Sequence, residues 1–496
     1  MIEAQAMPNF LQKRAFLTPE RPAIHFSGVT YSFSEVYKRV HTIAGQLQAA
    51  GVKKGEYAGV LLRNHVDTVF ILLALQLIDV KAVILNNRLT SEELRWQMAD
   101  SRSAYLLTES AFEEISEKIT YTLSAVSVIL KENLFEAAYS EPEMAEEINL
   151  DEVCTVMYTS GTTGNPKGVL QTYGNHWWSA IGSALNLGLN ENDCWLCSVP
   201  IFHISGYSIL MRSIIYGMKM VLCESFNEKK VIDMISSEKV TIMSVVSTML
   251  SRIVEELQNE KLPDYFRCML LGGGPAARSL LEVCKKKDIP VYQTYGMTET
   301  SSQIVTLAPE YSFSKLGSAG KPLFPSQLKI VGGNGENAHP GEAGEIFVKG
   351  PNVTKGYLNR EDETLKKIRD GWLSTGDIGY LDSEGFLYVL DRRSDLIISG
   401  GENIYPAEIE GVLISHPYIT DAGVIGMKDD DWGEVPVAFV AGDKNMDAEE
   451  VRQYCLSKLA KYKVPKRIIM VDEIPRNASK KVLRRKLREL LEESGK

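Results

Sequence analysis

Helix and strand periods alternate along the first part of the chain. The segment "SFSEVYKRVHTIAGQLQAAG" opens with Ser32 and Glu35 at capping-box spacing. It then places Val36, Val40, Ile43 and Leu47 on one face and stops at Gly51. "YAGVLL" reads as a buried strand, "VFILLALQLI" as a helix, "KAVILN" as a strand, "SEELRWQMAD" as a helix and "AYLLT" as a strand. A β–α–β–α–β run of this kind predicts a largely parallel sheet. The pattern recurs from about Asp193 to Val305, where "DCWLCSVP", "KMVLCE", "TIMSVV" and "RCMLLG" are strand-like and helical runs separate them. The two stretches predict two similar α/β layers.

From about Gln327 the texture changes. "QLKIV", "GEIFVKG" and "GFLYVLDRR" are short strands with Gly- and Asp-rich turns between them, which predicts a small β subdomain. Beyond "DRRSDLIISGGENIYP" the pattern is α+β. The polar pentapeptide Asp391 to Asp395 separates two strand-like runs and marks a boundary. The expected fold is therefore α/β. Residues 1–391 form a large N-terminal domain of two α/β layers with a small β subdomain, 392–395 a hinge, and 396–496 an α+β C-terminal domain.

Composition narrows the function. With 496 residues, 44% of them hydrophobic, the chain is too long for one core. A net charge of -10 argues against a dedicated nucleic-acid binder, and leaves room for a local basic site that handles an anion. The seven cysteines, Cys194-x-x-Cys197 included, lie mostly in apolar runs and read as free buried thiols of a reducing cytoplasm. "MIEAQAMPNFLQKRAF" lacks a basic start followed by an apolar core, so no signal peptide is expected. "VFILLALQLIDV" is too short to span a bilayer.

The strongest chemical signal is "MYTSGTTGNPKGV", Met157 to Val169. A strand runs into a loop holding Thr159, Ser160, Gly161, Thr162, Thr163 and Gly164 and ending in Lys167. Glycines let backbone N–H groups approach phosphate oxygens, hydroxyls donate further hydrogen bonds, and the lysine adds charge. Gly168 after the lysine excludes a Walker A loop, which has Ser or Thr there.

Together with "SVPIFHISG", "LLGGGPA", "QTYGMTET", "LSTGDIGYLDSEGFLYVLDRRSD" and "ISGGENIYPAEIE", in that order over nearly the whole chain, this loop resembles the adenylate-forming superfamily. That superfamily holds acyl-CoA synthetases, firefly-type luciferases and peptide-synthetase adenylation domains. The resemblance implies a two-step reaction. A carboxylate attacks the α-phosphate of ATP, giving an acyl-adenylate and pyrophosphate, and a thiol then displaces AMP. It implies Glu299, with Thr159, on the Mg²⁺ side; Gly272, Gly273, Gly274 and Pro275 as the wall of the adenine slot; and Tyr295 packed against adenine beside Gly296. Thr298 reaches the phosphate and the acyl carbonyl, and Asp377 and Arg392 hold the ribose. It puts His203 at the wall of the acyl pocket, where a plain core histidine is the other reading. Gly400, Gly401, Glu402 and Asn403 face the tunnel for the coenzyme A thiol. The C-terminal domain is implied to be mobile, rotating about Ser394, where many members carry Asp or Lys.

Bringing a carboxylate to a phosphate needs a preorganised cation. The family supplies it from a Pro-Arg-Thr-x-x-Gly-Lys-type motif, here "PRNASKKVLR". Register from Pro475 puts that lysine at Lys481, with Lys480 in the place of the glycine; Lys480 is the alternative. Arg484, Arg485 and Lys486 read as a solvated helix face.

Longer stretches, among them "QTYGMTETSSQIVTL", "KLGSAGKPLF" and "PRNASKKVLR", resemble the ortho-succinylbenzoate–CoA ligases of menaquinone biosynthesis. That acid keeps a second carboxylate, which needs donors when buried. Ser301 and Ser302, with His203, are the expected donors. The expected co-substrates are ATP with Mg²⁺ and coenzyme A, with neither nucleic acid nor stable membrane insertion; homodimers are common in the superfamily. Two readings stand beside this one: a ligase for a medium-chain or aromatic acid, and an adenylation domain loading a carrier protein.

Overall fold

Residues 6–159, 166–274, 276–392, 395, 397–399, 402–404, 406–429, 432–443, 446–459, 461–476 and 482–494 are described by a computed structural model. Among them the strands form two large sheets, a small antiparallel sheet and a C-terminal sheet, with a short two-stranded pairing aside.

The β–α–β–α–β reading of the first stretch matches what folds. Strands Tyr57–Leu61, Lys81–Ile84 and Tyr105–Thr108 are parallel neighbours. Helix Phe33–Ala49 carries the full capping box of Ser32 and Glu35, and Val36, Val40, Ile43 and Leu47 are all buried. Helix Val66–Leu77 is buried on every side, which is why its sequence is apolar without a polar face.

The layers are not the two sequence stretches taken whole. The seven-stranded sheet recruits the antiparallel hairpin Val153–Thr159/Lys167–Thr172 and the short strand Gly356–Tyr357. The nine-stranded sheet recruits Pro22–Phe26 and Val29–Ser32 from near the N-terminus. Local periodicity names a strand but not its partner, because the partner lies far away in sequence. One apolar core joins the sheets: Val60 and Ile84 of the first, Ile24, Trp195 and Met220 of the second, and the helices between them.

Strands Gln327–Val331, Gly344–Lys349, Trp372–Leu381 and Leu387–Arg392 make the antiparallel subdomain. The C-terminal sheet is built on the long hairpin Ile419–Asp429/Gly433–Gly442, with Ile397–Ser399 and Arg467–Met470 on the second strand. Helices Pro406–Ile414 and Ala448–Leu456 contribute Ile409, Leu413, Val451 and Cys455 to its core.

Candidate active site

The carboxyl ends of strands Lys81–Ile84, Cys194–Cys197, Ile242–Val246, Cys268–Gly272 and Val291–Met297 open onto one cleft of about 1420 Å³. Sites of open α/β sheets form at such strand ends, where the chain leaves the sheet and its loops diverge. Thr159, Lys167, His203, Gly272, Gly273, Gly296, Thr298, Glu299 and Ser302 all line it. Residues up to 143 positions apart in sequence, Thr159 and Ser302, are thus brought to one cleft by strand register.

The turn Thr298–Thr300 and the first residues after it carry the densest geometry. Ser301 sits in the left-handed region at φ 52°, and Ser302 at φ 107°. A side chain on Gly296 would meet the Ser302 carbonyl at 2.1 Å, so glycine is required for the chain to fold back there. Glu299 accepts from the Tyr357 phenol at 3.2 Å. The Tyr357 ring also lies 5.7 Å below the Lys167 ammonium, and Lys167 pairs with Glu363 at 3.1 Å.

These residues fit a magnesium ion that arrives with nucleotide. Glu299 lines the cleft with the hydroxyl residues Thr159 and Thr298, and Glu93, Glu224 and Glu345 are the other carboxylates on its lining. Among the described residues no group of three His, Cys, Asp or Glu side chains forms a cage. Mg²⁺ is held in this way, by a carboxylate or two plus phosphates and waters.

Tyr295 and Asp377 lie beside the cleft and are joined to each other, the phenol donating to Asp377 Oδ2 at 2.8 Å. Asp377 is paired in register with Arg392 across the small sheet. Ser301 differs from expectation. Its side chain is wholly buried, is not on the cleft wall, and leaves Oγ without a hydrogen bond. Alternation across the turn puts Ser302 on the wall in its stead. Ser160, Gly161, Thr162, Thr163, Gly164, Pro275, Ser394, Gly400, Gly401, Lys480 and Lys481 lie outside the described residues, as do the side chains of Arg392, Glu402 and Asn403.

His203 is half-buried on the cleft lining, its ring against Phe202 and its buried Nε2 without a hydrogen bond. Burial, helped by the Arg88 charge, lowers its pKa to about 4, so the ring is neutral at pH 7.

Arg212 escaped the sequence reading. It lies in helix Ile204–Tyr216, is 2% exposed, and lines the cleft. Its guanidinium stacks over Trp195 at 5.1 Å and donates to Ser302 Oγ at 3.3 Å; Ser208 donates to the same oxygen at 3.2 Å. Nε has no partner, and no carboxylate among the described residues acts on the charge. Burial lowers its pKa, yet a guanidinium still holds its proton at neutral pH. A buried cation without a counter-charge is costly unless an anion comes to it. The signal was available as a lone arginine inside "ISGYSILMRSIIY", an otherwise apolar helix.

The tail motif is anchored at both ends. Arg476 pairs with Asp421 through Nε at 2.8 Å, and bridges to Val482 in antiparallel fashion. Arg484 pairs with Glu410 at 2.9 Å and donates to the Val424 carbonyl at 3.1 Å, with its side chain 13% exposed. The expectation of a solvated Arg484 is thus corrected. It begins helix Arg484–Ser494, and its face turns onto the sheet because Glu410 is waiting there.

The family model of AMP-binding enzymes matches residues 11–358, and that of the AMP-binding enzyme C-terminal domain matches 408–481. The 2-succinylbenzoate–CoA ligase of Geobacillus sp. (strain WCH70) is 56% identical over 493 residues, 98% of each chain. The chain belongs to the AMP-binding enzyme family, in its 2-succinylbenzoate–CoA ligase branch. Solved members of the family superpose on it throughout. The o-succinylbenzoate CoA synthetase of Bacillus subtilis, in complex with its acyl-adenylate intermediate, is 51% identical over 98% of each chain at a TM-score of 0.93. The same enzyme with ATP and magnesium ion is 50% identical, with 98% of this chain and 100% of that one covered, also at 0.93. The expected α/β architecture with a smaller C-terminal domain is that of this family.

Proposed function

We propose that the chain joins 2-succinylbenzoate to coenzyme A in two steps, through an acyl-adenylate, with release of AMP and pyrophosphate. The observation that carries the choice of acid is Arg212. An acid with one carboxylate brings no counter-charge for it once that group has reacted. Succinylbenzoate brings a second, and Arg212 with Ser302 offers a buried cation and a hydroxyl to receive it. Ser301 supports the turn from behind, and neutral His203 offers its free Nε2 to the acyl part.

In the first step the loop Thr159 to Gly164 and Lys167 hold the phosphates, and Gly272 to Pro275 with Tyr295 and Gly296 hold the adenine. Asp377 and Arg392 hold the ribose, since a carboxylate accepts two hydrogen bonds from a diol. Magnesium, when bound, neutralises charge on the departing pyrophosphate, and Glu299 with Thr159 is the side that receives it. Lys481 stabilises the negative charge that builds where the carboxylate meets the α-phosphate. Thr298 orients both. In the second step the C-terminal domain, residues 396–496, turns about the 392–395 hinge, with Ser394 as pivot. Gly400, Gly401, Glu402 and Asn403 then line the path of the coenzyme A thiol.

Among the described residues no helix is long and apolar enough to cross a membrane, and all seven cysteines are free and buried. A reducing cytoplasm fits free thiols, and a homodimer belongs to the same proposal. The deciding experiment is pyrophosphate release over a panel of acids, followed by detection of the coenzyme A thioester. Succinylbenzoate is expected to lead. Fatty or simple aromatic acids turning over well ahead of it would overturn the reading, as would transfer to a carrier protein in place of coenzyme A.

A further inference from the structure

Four consecutive backbone carbonyls at the catalytic turn are each held by a donor from elsewhere in the fold. The Thr298 carbonyl accepts from Gln171 Nε2 at 2.9 Å. The Glu299 carbonyl accepts from the Thr354 backbone N–H at 2.7 Å. Those of Thr300 and Ser301 accept from Asn352 Nδ2 at 3.0 Å and Ser179 Oγ at 2.6 Å. The donors come from strand Lys167–Thr172, helix Tyr173–Leu187 and the loop before strand Gly356–Tyr357.

Two of the side-chain donors, Gln171 and Asn352, are themselves held. Gln171 Oε1 accepts from Thr155 Oγ1 at 3.0 Å. Asn352 Oδ1 accepts from Ser326 Oγ at 3.0 Å. Asn175 donates to the carbonyls of Pro351 and Val353, at 3.0 and 2.9 Å, and so fixes the loop on both sides of Asn352. Gln171, Ser179 and Asn352 are all buried. Regular strands and helices saturate their own carbonyls, whereas here side chains and a loop have been recruited to saturate a turn. The turn needs them because Ser301 and Ser302 both lie at positive φ, where non-glycine residues are strained and persist only when the surroundings hold them.

We infer that Gln171, Ser179 and Asn352 are positioning residues that preset Glu299 and Thr298 for the metal–nucleotide complex. They touch neither nucleotide nor metal. They fix the carbonyls on either side of the Glu299 side chain, so that the carboxylate stands in place before magnesium arrives. The inference rests on the proposed role of Glu299 and not on the identity of the acid.

The test is calorimetric binding of a non-hydrolysable ATP analogue, with and without Mg²⁺, to the full chain and to Ser179→Ala and Gln171→Met. The magnesium-dependent gain in affinity is expected to fall about 10–100-fold, the scale for losing an outer partner of a metal ligand. Metal-free binding is expected to stay within about twofold, below the 1.4 kcal/mol that a tenfold change represents. Asn9→Ala supplies the control. It removes the cap of helix Phe10–Leu17, none of whose residues lines the cleft, and lowers the melting temperature while leaving the turn's donors in place. Ser179→Ala deletes a single hydroxyl and keeps the helix, so it reports even where Gln171→Met folds poorly. A magnesium gain unchanged in Ser179→Ala, or reduced equally in Asn9→Ala, overturns the inference. Because binding needs no acid, a failed acid panel leaves this result standing on its own.

Discussion

Arg212 illustrates how one side chain narrows a substrate class. Its charge is desolvated, stacked on Trp195, and given a hydroxyl but no carboxylate among the described residues. Arg212→Met keeps the volume and removes the charge. Its expected effect is a loss of about a hundredfold in kcat/KM for succinylbenzoate, the scale for truncating one partner of a buried charge pair. An acid lacking the second carboxylate is expected to lose little. Competition between the two acids in one assay reads this out directly. The desolvated histidines make a second prediction at this scale. His176 is held neutral down to about 3 and His203 down to about 4, chiefly by burial. In the unfolded chain each takes a proton near pH 6.5. Neither affects stability above that pH. Below it the unfolded state gains protons that the folded state refuses, so stability falls as the pH drops from about 6.5 toward 4. For His176 alone the loss is about 2 kcal/mol by pH 5. Thermal melts between pH 7.5 and 5 are expected to show the decline, and His176→Gln to flatten it.

The tail motif carries the proposed catalytic lysine. Arg476 and the helix start at Arg484 are clamped to Asp421 and Glu410, and the lysines lie between them in sequence. Fixing the positions on both sides lowers the entropy lost when a lysine between them is engaged. Arg484→Ala removes the cation paired with the largely buried Glu410, which also accepts from the Val424 N–H. The expected cost is about 2 kcal/mol, below the 3–5 kcal/mol of a fully buried broken pair because some exposure remains. Differential scanning fluorimetry is expected to show a lower melting temperature. Adenylate formation is expected to slow about tenfold as the clamp at Arg484 is lost. Unchanged melting would mean that the ion pair contributes nothing there. This clamp was only half legible beforehand. The basic run is plain in the sequence, but which arginine turns inward depends on Glu410 and Asp421, 74 and 55 residues away.

At the scale of the whole molecule the two half-reactions separate the lysines. Lys481→Ala is expected to slow adenylate formation by on the order of a hundredfold, the scale for one preorganised electrostatic partner. Thioester formation from preformed acyl-adenylate is expected to be largely spared, since in the proposed cycle the C-terminal domain turns away between the two steps. Lys480→Ala is expected to do much less in both steps. A crippling Lys480→Ala would shift the register by one residue and move the catalytic cation with it. Single-turnover measurements of each half-reaction distinguish the cases.

Much of this protein was determined by its sequence alone. Periods of two and 3.6 name the strands and helices of both large sheets. The capping box of Ser32 and Glu35 forms as read. The dense Thr–Ser–Gly loop, the turn at Glu299 and the tail motif identify the family, because such runs of glycine, hydroxyl and charge serve nothing in a plain core. Tertiary structure decided the rest. It chose which sheet each hairpin joins, turned Ser302 to the cleft and Ser301 away from it, and brought Gln171, Ser179 and Asn352 to one turn. It also gave Arg212 a cleft to face. These are matters of long-range register and burial, set by what a side chain meets across the core. Local pattern carries no information about partners more than a hundred residues away.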